Sequence, residues 1–547
     1  MVRLQPSFRT AASFLLASLA LVECAAAQRP RFLPDDPITR VPEVPLLFQT
    51  KPQEVNELYD FGVNSAHYKV PAPTPSLGIN TLGEVPDSSW YTNRDLHRMT
   101  RAELQRGPRI SGGPVPPFTV VAAKTEGVSP GFRMNDGRGR VFFVKADPPS
   151  NPEMATASDV VGALFFYAIG YNAPQNYILV ATPEQFQLSP KASITEPSGK
   201  KQPMREKDWR RVLNLIPRMP DGRIRVMTSL AINGKLMGPH VYQGVRPDDP
   251  NDLIPHQQRR DLRGLAVFAA WLNHTDAKSS NSMDALEGSG SEARMVHYLL
   301  DFGALFGSDS TIAKDPRHGR EFTFPTSRAQ LKQVSTFGLD FPDWETVHYP
   351  GDLKAVGNFT AEAFDPIKWK ENYPNPAFRA MLPGDAYWAA KKVMAFTDDD
   401  IRAIVEQGQF TNPETVDYIT KTLIARRDAV GRAWFQRAVP VEELRIENAE
   451  LHFENLAVRY GFTKAPSYHY EWFHFDNQTG GKKVVPASSS ATMVPPELIN
   501  GAKGGYFGCT IASDEHGDLS TTAYFHEEHG TWRLVGIDRK TSPPSLP

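Results

Sequence analysis

The segment that most constrains this chain is residues 259–301, where a helical repeat runs into a polar loop and then into a hairpin. Leu262, Leu265, Ala266, Ala269 and Leu272 recur at helical spacing, which predicts a helix with one apolar face ending at Asn273. His274-Thr275-Asp276-Ala277-Lys278-Ser279-Ser280-Asn281 follows at once, so the loop is anchored by a buried helix. Glu287 to Glu292 has turn chemistry, and Met295 to Leu300 reads as a strand that delivers Asp301-Phe302-Gly303. The two polar blocks have the form H-x-D-x-K-x-x-N and D-F-G. Moving a phosphoryl group to a hydroxyl needs a carboxylate that orients the acceptor, and hard oxygen ligands for a Mg²⁺ that offsets phosphate charge. Asp276 fits the first role, and Asn281 and Asp301 fit the second. The blander reading has Asp276 and Asn281 capping a loop and Asp301 ending a buried strand. Only structural context decides between them.

This pair of blocks resembles the catalytic loop and metal loop of the protein-kinase superfamily. The resemblance covers about residues 115 to 310. It implies an α+β, two-lobed protein-kinase-like fold with ATP, or another nucleotide, and Mg²⁺ between the lobes. It also implies a strand lysine that holds the donor phosphates and a helix acid that braces it. Val141-Phe142-Phe143-Val144-Lys145 is a β-rich run, and Pro152 opens a predicted helix from Met154 to Ile169, with Gly170 as its stop. Lys145 and Glu153 resemble the lysine–acid pair. Against that, a strand-end lysine is ordinarily a solvated charge, and an acid in a first helical turn favours the helix dipole without any further role. Phe118 to Arg140 reads as two strands with Gly127, Gly131, Gly137 and Gly139 between and after them. There is no G-x-G-x-x-G and no A-P-E after Asp301. The chain therefore departs from ordinary Ser/Thr kinases and is closer to divergent kinase-like families, such as HipA toxin kinases, CotH spore-coat kinases, secretory-pathway kinases and lipid kinases.

With 547 residues, the length allows two to four domains. A net charge of −2 shows no strong field for nucleic acid or anionic membrane. Residues 1–27 read as a cleaved signal peptide: Arg3 and Arg9 precede the apolar run Ala11 to Val22, and Ala25-Ala26-Ala27 precedes Gln28. Nothing later reaches membrane-spanning length. Cys24 would leave with the signal, so the remaining Cys509 has no intrachain disulfide partner. Export without disulfides, and an N-x-T sequon at Asn273 inside the polar loop, point to a bacterial periplasmic or secreted protein.

The order of elements predicts a proline-rich extension over 28–116, an amino-terminal lobe over 117–232 and a mostly helical carboxy-terminal lobe over 233–440. A β-rich domain follows over 441–547. Glu184 to Pro220 reads as a polar insertion. Thr397 before Asp398-Asp399-Asp400, and Asn412 before Pro413, are helix starts, and the acid run is capping chemistry rather than a metal site. His469, His474, His526 and His529 lack metal-ligand spacing and read as strand-face histidines. Arg259, Arg260 and Arg263 read as a solvated charged face.

These readings converge on an exported phosphotransferase acting on a hydroxyl-bearing acceptor (protein, lipid or envelope glycan). In that reading Asp276 orients the acceptor, Lys278 neutralises the transferring group, Asn281 and Asp301 hold Mg²⁺, and Lys145 braced by Glu153 holds the nucleotide. Scarce extracytoplasmic ATP raises a second reading, a catalytically silent kinase-like scaffold whose carboxy-terminal β domain binds a partner. A hydrolase is disfavoured, because the chain has no zincin motif and no useful lone cysteine.

Overall fold

Five clusters of apolar side chains organise the computed structural model, which describes residues 29–46, 50–66, 72–124, 131–195, 200–323, 343–486, 492–500 and 504–543. The expected signal segment and Gly127 lie outside them. Two short helices, α1 (Glu57–Ala66) and α2 (Arg101–Arg106), precede the first sheet. That sheet has seven strands: β1 (Phe118–Lys124), β2 (Gly131–Asn135), β3 (Val141–Ala146), β4 (Asn176–Ala181), β5 (Phe186–Thr195), β6 (Lys201–Pro203) and β7 (Ile224–Leu230). Their order is β4-β7-β3-β2-β1-β5-β6. β5 runs parallel to β1, and every other pair is antiparallel. The stretch read as a polar insertion is thus part of the sheet. Its helix α4 (Glu206–Asn214) sends Trp209 and Val212 into the core beside Phe132 and Phe186.

Helix α3 (Met154–Ile169) separates this sheet from a larger helical body. All its residues but Tyr167 are buried, because it packs on both sides. The same holds for α5 (Arg260–Leu272), which is enclosed on nearly every face rather than along one stripe. Trp271 and Phe165 meet edge to face at 5.1 Å between the two helices. The arginines at the start of α5 are therefore paired rather than solvated. Arg259 binds Asp261 (3.0 Å), and Arg260 and Arg263 share Asp385 (3.0 and 3.3 Å). Among helices α6 (Pro376–Arg379), α7 (Pro383–Met394), α8 (Asp398–Val405) and α9 (Pro413–Phe435), the last two start as the sequence predicts. Thr397 forms a capping box with Asp400, and Asn412 caps the Pro413 helix.

A three-stranded sheet, in the order β10-β9-β8, lies beneath the polar loop. It comprises β8 (Lys235–Leu236), β9 (Ser282–Glu287) and β10 (Arg294–Leu299). The carboxy-terminal region forms a two-stranded pair, β11 (Val441–Glu447) and β12 (Glu450–Asn455), and a five-stranded antiparallel sheet. The latter holds β13 (Tyr468–Phe475), β14 (Lys482–Val484), β15 (Tyr506–Ser513), β16 (Ser520–Glu528) and β17 (Thr531–Lys540). The proline-rich extension is tied across both regions. Phe32 is buried against Phe475 and Tyr524, while Tyr91 packs beside Tyr171 and donates to the Ile169 carbonyl (2.6 Å) at the end of α3. No described helix is long and apolar enough to cross a membrane.

Candidate active site

Lys145 reaches the site because β3 alternates: Phe142 and Val144 point into the sheet core, and the lysine leaves from the other face. Its Nζ lies 2.6 Å from Asp301 Oδ1 and 3.4 Å from Asp159 Oδ2. Burial alone would lower the Lys145 ammonium, but the two carboxylates outweigh it and hold it above its ordinary value. The acid that braces Lys145 is thus Asp159 and not Glu153. Glu153 sits before the helix with φ +68°, and its carboxylate accepts from the Thr411 amide (2.9 Å). The physical reason is position on the helix. The first regular residue is Met154, and the face turned toward β3 comes about a turn and a half later, at Asp159. A sequence signal existed, since Asp159 is the only charged residue in the run Met154–Ile169.

Two carboxylates around one lysine cannot be equivalent. The Asp159 side chain is 3 % exposed, whereas that of Asp301 is 42 % exposed. Burial, with Asp301 as a like charge, pushes Asp159 up to about 6 despite Lys145. For Asp301 burial also acts upward, but Lys145 outweighs it and leaves the carboxyl below its ordinary value. Asp301 is therefore the ionised, more accessible member, with a left-handed backbone (φ 56°, ψ 65°). The next residue fixes that turn. Phe302 is fully buried and stacks on Phe166 of α3 at 4.9 Å and 15°. Gly162 makes room, because a Cβ there would lie 2.6 Å from Phe302 Cβ.

On the other side, α5 ends at Asn273 in a left-handed conformation (φ 57°, ψ 42°). His274 then turns inward onto Phe166 and Phe302 (5.8 and 6.0 Å). Burial, with Lys314 nearby, pushes His274 down to about 3, so the ring is neutral and packs the loop. Asn281 spends both amide hydrogens on Asp276, one on its carbonyl and one on Oδ2, each at 2.8 Å. That leaves the Asn281 amide oxygen as the atom able to ligate a hard cation. Lys278 lies 3.2 Å from Asp276 Oδ1 and is also paired with Glu57 of α1. Burial raises Asp276, with Lys278 and Asn281 acting against it and Asp301 adding to it. The Leu300 amide donates to the Asn281 carbonyl (2.9 Å), so the segments carrying Asn281 and Asp301 are joined directly.

The structure thus brings Lys145, Asp276, Lys278, Asn281 and Asp301 together, and places Glu153 elsewhere. Two further residues were not legible as site residues. Lys314 is fully buried and donates to the carbonyls of Asn273 (3.1 Å) and Ala304 (2.8 Å), tying the two loops together. Glu57, from the proline-rich extension, sits on Lys278. Both depend on contacts across 10 to 221 residues of chain, for which a single sequence holds no signal.

No family model and no curated protein sequence matches this chain. Among solved structures it is similar to a Helicobacter pylori proinflammatory kinase, CtkA, with a TM-score of 0.28 and 9 % identity over 56 % of this chain and 94 % of that one. A Golgi casein kinase with Mn/ADP bound matches with a TM-score of 0.28 and 9 % identity, over 79 % and 92 % of the respective chains. An alpha kinase from Entamoeba histolytica matches with a TM-score of 0.18 and 13 % identity, over 41 % and 82 %. Likeness at this level carries no argument about this chain, and the functional reading rests on the site itself.

Proposed function

We propose that this chain is an exported kinase-like phosphotransferase, moving a phosphoryl group from a nucleotide to a hydroxyl-bearing acceptor. The observation that carries this reading is the Asp159–Lys145–Asp301 bridge beside the Asp276–Asn281–Lys278 cluster. A structural ion pair needs one acid and one base. This one has a lysine held by a deep acid and by a more accessible one, and the segment carrying the latter is hydrogen-bonded to that of Asn281.

The donor set fits Mg²⁺: the Asp301 carboxylate and the Asn281 amide are hard oxygen ligands. When bound, the metal supplies charge neutralisation on the donor phosphates. The remaining roles belong to side chains. Lys145, fixed by Asp159, contributes a cation toward the donor phosphates. Asp276 accepts the hydrogen bond of the acceptor hydroxyl and takes its proton as the acceptor oxygen bonds to phosphorus and the bond to the nucleotide breaks. Lys278 offsets charge on the group in flight once Glu57 has released it. The neutral His274 takes no proton and holds the loop against Phe302.

The test compares Asp301→Asn with Asp276→Asn. Nucleotide at ~100 times its dissociation constant stabilises a fold by about 2.7 kcal/mol, readable as a rise in melting temperature. Wild type should show that rise with Mg²⁺ or Mn²⁺ and ATP, and should label itself or an added acceptor with phosphate. Asp301→Asn should lose the metal-dependent rise, whereas Asp276→Asn should keep it and lose transfer. A wild-type melting temperature indifferent to every nucleotide and metal tried would reject the proposal.

A further inference from the structure

Beneath the loop, the sheet β10-β9-β8 carries a buried group of ligand-forming side chains that the proposed reaction does not use. Asp284 on β9 and His297 on β10 are direct cross-strand partners, and His240 follows β8. All three are buried, and one ligand atom from each lies within 4.8 Å of the others. Asp284 Oδ1 is 2.8 Å from His297 Nδ1 and 3.2 Å from His240 Nδ1. Trp90 stacks on His297 at 3.6 Å and seals it.

Hydrogen bonding leaves this group incomplete. Asp248, Asp249, Asp252 and Asp284 surround it. Arg246 is shared between Asp284 (3.0 Å) and the partly exposed Asp248 (2.9 Å). His256 has the Val241 carbonyl against Nδ1 and Asp252 Oδ2 against Nε2 at 2.7 Å, so both of its ring nitrogens are occupied. Among the described residues, the buried Asp249 Oδ2 has no hydrogen-bond partner. It faces His297 Nε2 at 4.0 Å, and that atom is buried and without a partner too, as is His240 Nε2.

If both imidazoles donate Nδ1–H to Asp284, His297 turns a bare lone pair toward a bare carboxylate oxygen in a dry interior, which costs free energy. A divalent ion on the Nδ1 side removes the conflict. The ring protons then move to Nε2, and His297 donates to Asp249, giving the carboxylate–histidine–metal relay that orients ligating imidazoles. Donors about 2.0–2.1 Å from an ion stand roughly 3.3 Å apart in a tetrahedral site, against 2.8 and 3.2 Å from Asp284 Oδ1 to the two Nδ1 atoms.

We propose that His240, His297 and Asp284 form a structural site for a zinc-class divalent transition metal, with Asp249 as the outer carboxylate of His297. Two imidazole nitrogens and one carboxylate oxygen select such an ion over Mg²⁺ or Ca²⁺. The ion would tie β9 and β10 to the segment that follows β8, where β9 starts just after Asn281 and β10 ends just before Asp301. The proposal stands independently of the phosphotransferase reading.

The experiment uses the full chain, purified without chelator or polyhistidine tag. Metal analysis should find about one zinc per chain. Stripping with a strong chelator should lower the melting temperature, and Zn²⁺ or Co²⁺, but not Mg²⁺, should restore it. Equimolar Co²⁺ should give the visible absorption bands of a low-coordinate site. Asp284→Asn and His297→Gln should lose the metal, and Asp301→Asn should retain it. Wild-type measurements suffice even if those variants fold poorly. Wild type that holds no metal and gives no Co²⁺ spectrum overturns the proposal. So does a melting temperature that neither falls with the chelator nor responds to added Zn²⁺ or Co²⁺.

Discussion

Asp159→Asn separates what the Lys145 bridge does for stability from what it does for binding. Asparagine keeps the shape and can still accept the Phe302 amide that Asp159 accepts, but it carries no charge. Burial pushes Asp159 up to about 6 even with Lys145 beside it, against roughly 3.9 in an unfolded chain. Between those two values the folded state binds the extra proton, so stability falls as pH rises through the window, and above about 6 the full cost is present. A shift of about two units corresponds to about 3 kcal/mol. In the absence of nucleotide and divalent metal, the variant should therefore be more stable than wild type at pH 7.5, by up to about 3 kcal/mol. The difference should shrink to near zero at pH 4. Lys145 would then be held by Asp301 alone, so the variant should also bind Mg-nucleotide more weakly. Urea titrations at a series of pH values measure the first effect, and calorimetric titration the second. A variant less stable than wild type by more than ~1 kcal/mol at pH 7.5, or a gain that ignores pH, would refute the reasoning.

Three further perturbations test neighbouring contacts. Gly162→Ala places a Cβ 2.6 Å from Phe302 Cβ and 2.8 Å from Leu305 Cδ1; the overpacking cost of roughly 1–3 kcal/mol should exceed the helix-propensity gain of about 1 kcal/mol, and a more stable protein in urea would contradict the packing described. Glu57→Gln releases Lys278 from a competing carboxylate, so the apparent Kd for Mg-nucleotide should fall; an unchanged Kd would mean that Glu57 and phosphate do not compete for Lys278. Burial pushes Lys314 down to about 8, so its charged form is disfavoured in the fold and wild type should gain stability as pH rises from about 8 toward 10.4, by up to about 3 kcal/mol. Lys314→Met should lack that rise, and an identical slope in both proteins would remove the assignment.

Much of the local structure was legible because it depends on neighbours in sequence. The caps at Thr397 and Asn412, the hairpin over residues 282–299 and the end of α5 at Asn273 all follow from residues within a few positions. Misreadings came where distant chain changes the environment. Arg260 and Arg263 look solvated until Asp385 arrives from α7, and the stretch from 184 to 220 looks detached until β5 pairs with β1.

The site divides along the same line. Asp276, Lys278 and Asn281 lie on one short loop, and their mutual contacts follow from its spacing. The Glu153 error shows what spacing cannot supply. An acid at a helix start and an acid on its inner face are equally available to a nearby lysine until the helix is docked, and only docking sets which one faces β3. The burial that hides Asp159 from a sequence reading also raises its proton affinity, leaving Asp301 as the ionised carboxylate at the surface of the cleft. A lysine placed between a deep acid and a shallow one is thus held by the first while remaining exchangeable at the second. The division of roles follows from the 3 % and 42 % exposures of the two side chains rather than from their residue type.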